Sequence, residues 1–271
     1  MKKFTKNKPI TLIKLGGSVI TNKAEFMSLK KETISELIKQ IKLVRAEFPD
    51  EQLIIGHGQG SYAHLPAHKY KTMAGFINED SAYGMAVVQD MAARLNREIV
   101  KAFIEQDVAA VSFLMSNSLI TNNKQAVADF FMLLEKYLEK GLFPITCGDV
   151  ILDESMGCTI WSTEKILSFF TEKLTEHGYR LERLIHLTEV SGFLDDKGQV
   201  VGHINQQTWP ELKKHLRETQ GVDVTGGMDL KIEESMALNS KFGLKTYIMS
   251  GKSDNLYNFF TGKSWLGTEI S

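Results

Sequence analysis

The feature that most limits how this chain can fold is an apolar strand-like run ending in glycine, and it occurs twice near the N-terminus. Ile10, Leu12, Ile13 and Leu15 run into Gly16 and Gly17 within IKLGGSVITNK (residues 13–23). Leu53, Ile54 and Ile55 run into Gly56, His57, Gly58, Gln59, Gly60 and Ser61, and His64 follows. Glycine lets backbone N–H groups approach an anion with no Cβ in the way. Ser18 and Thr21 add hydroxyls, and Lys14 and Lys23 add positive charge around a phosphate-sized space. One strand ending in two glycines is equally a tight turn, but two of them suggest two phosphates. A histidine just beyond such a loop, as His64 is, can donate to a phosphate oxygen. His57, His64 and His68 also each suit a surface or packing role.

A third glycine pair stands in VDVTGGMDLKIEESM (residues 222–236), where Gly226 and Gly227 precede Met228, Ile232, Met236 and Leu238 at roughly helical spacing. Lys231 falls in the first turns of that helix. Unpaired N–H groups and the helix dipole favour an anion there, and the lysine suits a nucleotide's terminal phosphates. The plainer alternative is Thr225 as an N-cap followed by a solvated lysine.

Between these segments strand-like runs alternate with helical patterns, which predicts an α/β fold with a mainly parallel sheet and helices on both faces. The spacing of Ile34, Leu37, Ile38, Ile41 and Val44 predicts a helix over 30–47, and Met85, Val88, Met91, Leu95, Ile99 and Phe103 predict another over 81–105. A strand over 109–113, a helix over 126–140, a strand over 144–150 leading into a Gly148–Asp149 turn and a helix over 164–177 follow. Then come a strand over 184–187, a hairpin-like VSGFLDDKGQVV (residues 190–201) and a last strand over 246–249. No linker or low-complexity tract interrupts the pattern, so a lobe boundary near residue 178 falls within a continuous sheet.

Composition admits a soluble enzyme without selecting one. The 271 residues are 43% hydrophobic, enough for one large core, and 32 Lys and Arg nearly balance 33 Asp and Glu, giving no reason to expect nucleic acid. Cys147 and Cys158 are too few for a disulfide scaffold or a zinc site and fit a reducing compartment. The basic MKKFTKNK start precedes only a strand-length apolar run broken by Lys14, unlike a signal peptide, and no run approaches a membrane span. The expected location is the cytoplasm.

Taken together, KLGGSVITNK, HGQGSYAHLPAHKY, PITCGDVILD, IHLTEVSGFLDD, DVTGGMDLK and a terminal LGTEI resemble, in order, the amino acid kinase superfamily and most closely its isopentenyl phosphate kinase branch. The resemblance covers nearly the whole chain. It implies a three-layer αβα sandwich, with residues 1–178 holding the phosphoryl acceptor and 179–271 holding ATP, and a homodimer. Lys14 would reach the transferred phosphoryl group, with Gly16, Gly17 and Ser18 along its path. Lys23 and His64 would hold the acceptor phosphate, surrounded by Gly58, Gln59, Gly60, Ser61 and Gly148, and Asp149 would orient a lysine. Thr188, Glu189, Val190, Gly192, Gly226, Gly227, Met228 and Lys231, with Lys14 and Gly17, would meet the nucleotide. ATP and Mg2+ are the implied cofactors, with no residue assigned as a metal ligand. Transfer would be in line, from Mg-ATP to an acceptor oxygen already ionised at neutral pH, so that positioning and charge neutralisation carry the catalysis.

Several residues depart from the family pattern on the acceptor side. Gln59 and Ala63 stand where glycines are usual, Cys147 where a histidine is frequent, and WSTEK (residues 161–165) where a serine-glycine-aspartate-aspartate segment is expected. Glu164 there could keep a carboxylate at longer reach. An apolar pocket for an isoprenoid tail is expected from Met73, Phe76, Tyr83, Met85 and Phe113, residue types that equally form core. A kinase for a fosfomycin-like phosphonate or another small phosphate would keep both lysines and His64 but show a polar pocket. A non-catalytic nucleotide-binding protein would have lost charge at the phosphate sites.

Overall fold

The structure, a computed structural model, describes residues 6–22, 24–220 and 226–271, the side chains of 215–220 excepted. Lys23 and Thr225, both singled out above, lie outside the described residues. Strand β1 (Pro9–Leu15) is central: all of its residues from Ile10 to Leu15 are buried, as in a strand covered on both faces, and they are apolar except for Thr11 and Lys14. It pairs in parallel with β2 (Gln52–His57) on one side and β9 (Arg180–Thr188) on the other. With β3 (Ala110–Ser112), β6 (Phe143–Cys147), β10 (His203–Ile204), β11 (Lys245–Ser250) and β12 (Gly267–Ile270), they form an eight-stranded sheet. Its order is β10-β12-β11-β9-β1-β2-β6-β3, and only the β11–β12 pair is antiparallel.

Successive strand residues point to opposite faces, which sorts the core into two layers. Ile13, Leu15, Leu53, Ile55, Ile185 and Leu187 face α2 (Lys31–Glu47), α4 (Ser81–Ile104) and α9 (Asn255–Phe260). Ile10, Leu12, Ile54 and Leu184 face α5 (Met132–Glu139), α6 (Thr163–Glu176) and α8 (Gly226–Phe242). The fold is therefore the expected three-layer αβα sandwich, and β9 beside β1 joins the two halves of the chain in one sheet. A short α1 (Gly17–Ile20), α3 (Gly60–Lys69) and α7 (Trp209–Gln220) complete the helices.

Three local expectations are corrected. Residues 126–140 do not form one helix: β4 (Leu119–Asn122) and β5 (Gln125–Asp129) make a hairpin, and α5 starts only at Met132. Asn123 and Lys124 take left-handed conformations at its turn, and both donate backbone N–H groups to the Asp153 carboxylate, which also accepts from the Thr121 hydroxyl. Every residue of β5 is exposed, so no apolar alternation marks it. Secondly, Gly148 splits the strand expected over 144–150 into β6 and β7 (Asp149–Asp153); β7 pairs with β8 (Gly157–Trp161) and β4 in a separate four-stranded sheet. Finally, β12 follows the strand expected to be last. The hairpin-like 190–201 segment is present as expected: Leu194 bridges Val200 in antiparallel fashion, the Asp195 N–H donates to the Gln199 carbonyl and the Val201 N–H to the Phe193 carbonyl, both at 2.9 Å. Among the described residues, no helix is long and apolar enough to cross a membrane.

Candidate active site

At the carboxyl ends of β1, β2, β6 and β9 the sheet opens into a cleft of about 1670 Å3, the position at which open α/β sheets bind ligands. Its floor is two glycine loops in contact. The Gly16 N–H donates to the Leu187 carbonyl and the Gly58 N–H to the Leu15 carbonyl, both at 2.9 Å, so each loop is fixed to the neighbouring strand. A Cβ on Gly17 would lie 2.6 Å from the Gly60 nitrogen, and one on Gly58 2.7 Å from the Gly17 nitrogen. Only glycine allows that approach. Thr21 fastens the pair: its hydroxyl donates to the Gly17 carbonyl at 2.8 Å and accepts from the Ser61 N–H at 3.0 Å.

The third wall is the start of α6. Ser162 caps it, its hydroxyl accepting from the Lys165 N–H at 3.1 Å. The Thr163 hydroxyl donates to the His57 carbonyl at 2.7 Å and accepts from the Gly148 N–H at 2.9 Å, holding the second glycine loop against the Gly148 turn. The Gln59 amide donates to the Gly148 carbonyl, so the side chain that departs from the family pattern ties two loops together. His57 is a packing histidine. It is fully buried, bonds Asn96 at 3.2 Å and the Gly58 carbonyl at 3.1 Å, and burial pushes its pKa down to about 4.

Charge gathers on the face of the sheet that meets α6 and α8. Strand register sets Lys14 beside His186, and both project toward those helices. Lys14, only 8% exposed, pairs with the Glu164 carboxylate. Burial alone would raise the pKa of Glu164, but the Lys14 ammonium overrides it and holds the group at about 2. Lys231, in the second turn of α8, is pushed down to about 8 by burial and then by Lys14, against the pull of Glu164 and Glu234. His186 is driven well below its ordinary value by burial, Lys14 and Lys231, so it is neutral.

Of the residues expected at the site, Lys14, Gly16, Gly17, Ser18, Gly58, Gln59, Gly60, Ser61, His64, Gly148, Asp149, Thr188 and Lys231 line this one cleft. His64 is exposed on α3. Asp149 is buried and accepts 2.9 Å bonds from the Ser116 and Val150 N–H groups; burial raises it to about 6. The partner of Lys14 is Glu164 instead. Glu189, Val190, Gly192 and Met228 are not among the lining residues. Glu189 pairs with Lys30, whose ammonium also donates to the Ser18 carbonyl at 2.8 Å, and the Val190 carbonyl accepts from the Thr188 hydroxyl. Gly192 packs against Thr268 and Val200, while Met228 packs on the cluster around Phe193 and Ile232. Gly226 and Gly227 form the first turn of α8.

Sequence reasoning missed Thr163, Lys165, His186 and Glu234, all in the lining. Strand alternation could have found His186, which shares its parity with Leu184. Of the five apolar residues expected to form a pocket, only Met73 lines the cleft; Phe113 is core at 2% exposed. Ala63, Leu65, Ala67, Val88, Ala92 and Ile160 make the apolar wall instead.

Residues 9–250 match the amino acid kinase family. The chain belongs to that family. Isopentenyl phosphate kinase of Methanocaldococcus jannaschii is 27% identical over 270 residues, spanning 96% of this chain and 98% of that one. Isopentenyl phosphate kinase of Arabidopsis thaliana is 23% identical, spanning 96% and 94%. Among solved structures, an isopentenyl phosphate kinase superposes with a TM-score of 0.78 at 24% identity, covering 97% of this chain and all of that one. Carbamate kinase from Giardia lamblia bound to AMP-PNP gives 0.64 at 14% identity, a likeness of fold.

Among the described residues, no three His, Cys, Asp or Glu side chains are grouped to hold a metal. One oxygen of Glu234 is buried at the cleft wall without a hydrogen-bond partner. A lone unsatisfied carboxylate oxygen in the cleft fits Mg2+ held mainly by nucleotide phosphates and water.

Proposed function

We propose that this chain is an ATP-dependent kinase that phosphorylates a small-molecule monophosphate, with isopentenyl phosphate as the favoured acceptor. The observation that carries the reading is the convergence of Lys14, the two touching glycine loops, Lys231 and the exposed His64 on one cleft with an apolar wall. In this reading residues 1–178 hold the acceptor and 179–271 the nucleotide. The relatives named isopentenyl phosphate kinase, matched over nearly their full lengths, support the choice of acceptor.

Lys14 stands where charge builds up between donor and acceptor phosphates, and Glu164 fixes its ammonium there. The backbone N–H groups of the glycine loops bind phosphate oxygens, and Lys231 meets the nucleotide's terminal phosphates. Bound Mg2+ would neutralise charge on the nucleotide, with Glu234 the carboxylate able to reach it. An acceptor phosphate is ionised at neutral pH, so no strong general base is needed; Asp149, raised to about 6, is engaged with two backbone N–H groups. Ala63, Ala67, Val88 and Ile160 favour an apolar tail over a polar phosphonate such as fosfomycin. Two buried, unpaired cysteines support a cytoplasmic location.

ADP release by the purified protein, measured with isopentenyl phosphate, longer isoprenyl monophosphates, fosfomycin and acidic amino acids, tests the proposal. Isopentenyl phosphate should raise the rate well above the acceptor-free background. A rate raised only by fosfomycin or an amino acid overturns the acceptor, and no ADP release with any acceptor overturns the kinase.

A further inference from the structure

We infer that Thr163 is a positioning residue for phosphoryl transfer, fixing the acceptor's glycine loop in place relative to the Lys14 ammonium, an inference that rests on the kinase reading above. Thr163 is the first residue of α6, in the WSTEK segment that departs from the family pattern, and is only 3% exposed. Both branches of its side chain are engaged. The hydroxyl donates to the His57 carbonyl at 2.7 Å and accepts from the Gly148 N–H at 2.9 Å. The methyl lies so close to Gly56 that a Cβ there would come within 2.8 Å of it. Threonine is stiff at χ1, so these contacts hold the start of α6 to β2 and to the Gly148 turn in one arrangement.

Strand register makes this anchor a link between two parts of the site. Gly56 and His57 on β2 pair with Lys14 and Leu15 on β1, and His57 also pairs with Cys147 on β6. Consecutive residues of α6 therefore meet neighbouring strands at one level of the sheet: Thr163 meets Gly56 on β2, and Glu164 meets Lys14 on β1. The His57–Gly58 peptide is held at both ends, its carbonyl by Thr163 and its N–H by the Leu15 carbonyl at 2.9 Å. That peptide opens the Gly58–Ser61 loop, which the kinase reading gives to the acceptor, as it gives Lys14 to the transferred phosphoryl group. In-line transfer needs the two held at one separation, and a misplacement of about 1 Å can cost on the order of 100-fold in rate. Thr163 acts on the phosphates only through Glu164 and this loop.

The plain alternative is that Thr163 only seals the start of α6 to the sheet. Thr163→Val keeps the shape and removes both hydroxyl bonds, whereas Thr163→Ser keeps the hydroxyl. Kinetics are measured well below each variant's melting temperature, with ATP and isopentenyl phosphate or whichever acceptor of the panel most raises the wild-type rate. The Val variant should lose about 10- to 100-fold in kcat while its KM for ATP stays near wild type. The Ser variant should keep most of the wild-type kcat. Combined with Glu164→Asp, Thr163→Val should cost less in kcat than the product of the two separate losses, because both displace Lys14 relative to the loop. If the Val variant does not fold, Thr163→Ala, which leaves room for water at the two backbone groups, takes its place in each comparison. Wild-type kcat in the folded Val or Ala variant, an equal loss in the Ser variant, or losses that simply multiply in the double variant overturns the inference while leaving the kinase reading intact. Wild-type protein that releases no ADP with any acceptor overturns both.

Discussion

The ammonium of Lys14 on β1 rests on the carboxylate of Glu164 on α6, 150 residues further along the chain. Both are largely buried, so neither is easily exchanged for water. Removing one partner of such a pair leaves the other charge in a poor solvent. Glu164→Gln should therefore destabilise the fold by about 3–5 kcal/mol and displace Lys14, lowering turnover. Glu164→Asp keeps the charge at shorter reach and should retain part of both. The pH dependence has a definite sign. A carboxylate held at about 2 instead of 4.5 stabilises the folded state above pH 4.5 and loses that contribution as pH falls toward 2. The stability gap between wild type and Glu164→Gln, read from denaturant unfolding, should accordingly be full at pH 7 and close across that range. A constant gap would show that the pair is not its source.

That relationship marks where sequence reading stops. The central strands were legible because Ile10, Leu12, Ile13 and Leu15 and the run Leu53 to Ile55 are mainly apolar and end in glycine, and α2 because Ile34, Leu37, Ile38, Ile41 and Val44 recur at helical spacing. The β4–β5 hairpin was not. Its outer strand is exposed throughout, and its turn is organised by Asp153, which lies distant in sequence. Likewise, Lys14, Gly17 and Gly60 were recognisable as site residues, but that a Cβ on Gly17 would strike Gly60 follows only from how two strands align. The Glu164 contact depends on α6 crossing the sheet face at Lys14. Met228 had the right neighbours in sequence and still turned into the core, because the helix that begins at Gly226 points it toward Ile232 and Phe193.

Lys231 should make nucleotide use sensitive to mildly alkaline pH. With its pKa lowered to about 8, the folded protein loses this cation as pH rises through 8, well before an ordinary lysine would. The KM for ATP should climb between pH 7 and 9.5. Lys231→Arg, which stays charged across that range, should flatten the climb. Lys231→Ala should show a high KM at every pH, weaker by roughly one to a few kcal/mol of binding free energy. A wild-type KM that is level over this interval would remove Lys231 from the phosphate site.

His64 offers the sharpest separation of acceptor binding from folding. It is exposed on α3 and lines the cleft beyond the Gly58–Ser61 loop, so its removal leaves the core intact. If its imidazole donates to the acceptor phosphate, the bond strengthens as donor and acceptor phosphates approach, and its loss lowers turnover as well as acceptor affinity. His64→Ala should reduce kcat/KM for isopentenyl phosphate by about 10- to 100-fold, the equivalent of roughly 1.5–3 kcal/mol for a bond to a charged group. The ATP KM and melting temperature should stay near wild type. His64→Gln should recover part of the activity, since an amide N–H still donates. Steady-state kinetics with varied acceptor, run beside a melting curve on the same samples, decide the matter. Unchanged turnover in a stable His64→Ala protein would sink the proposed role, and a lowered melting temperature with normal kinetics would return His64 to packing.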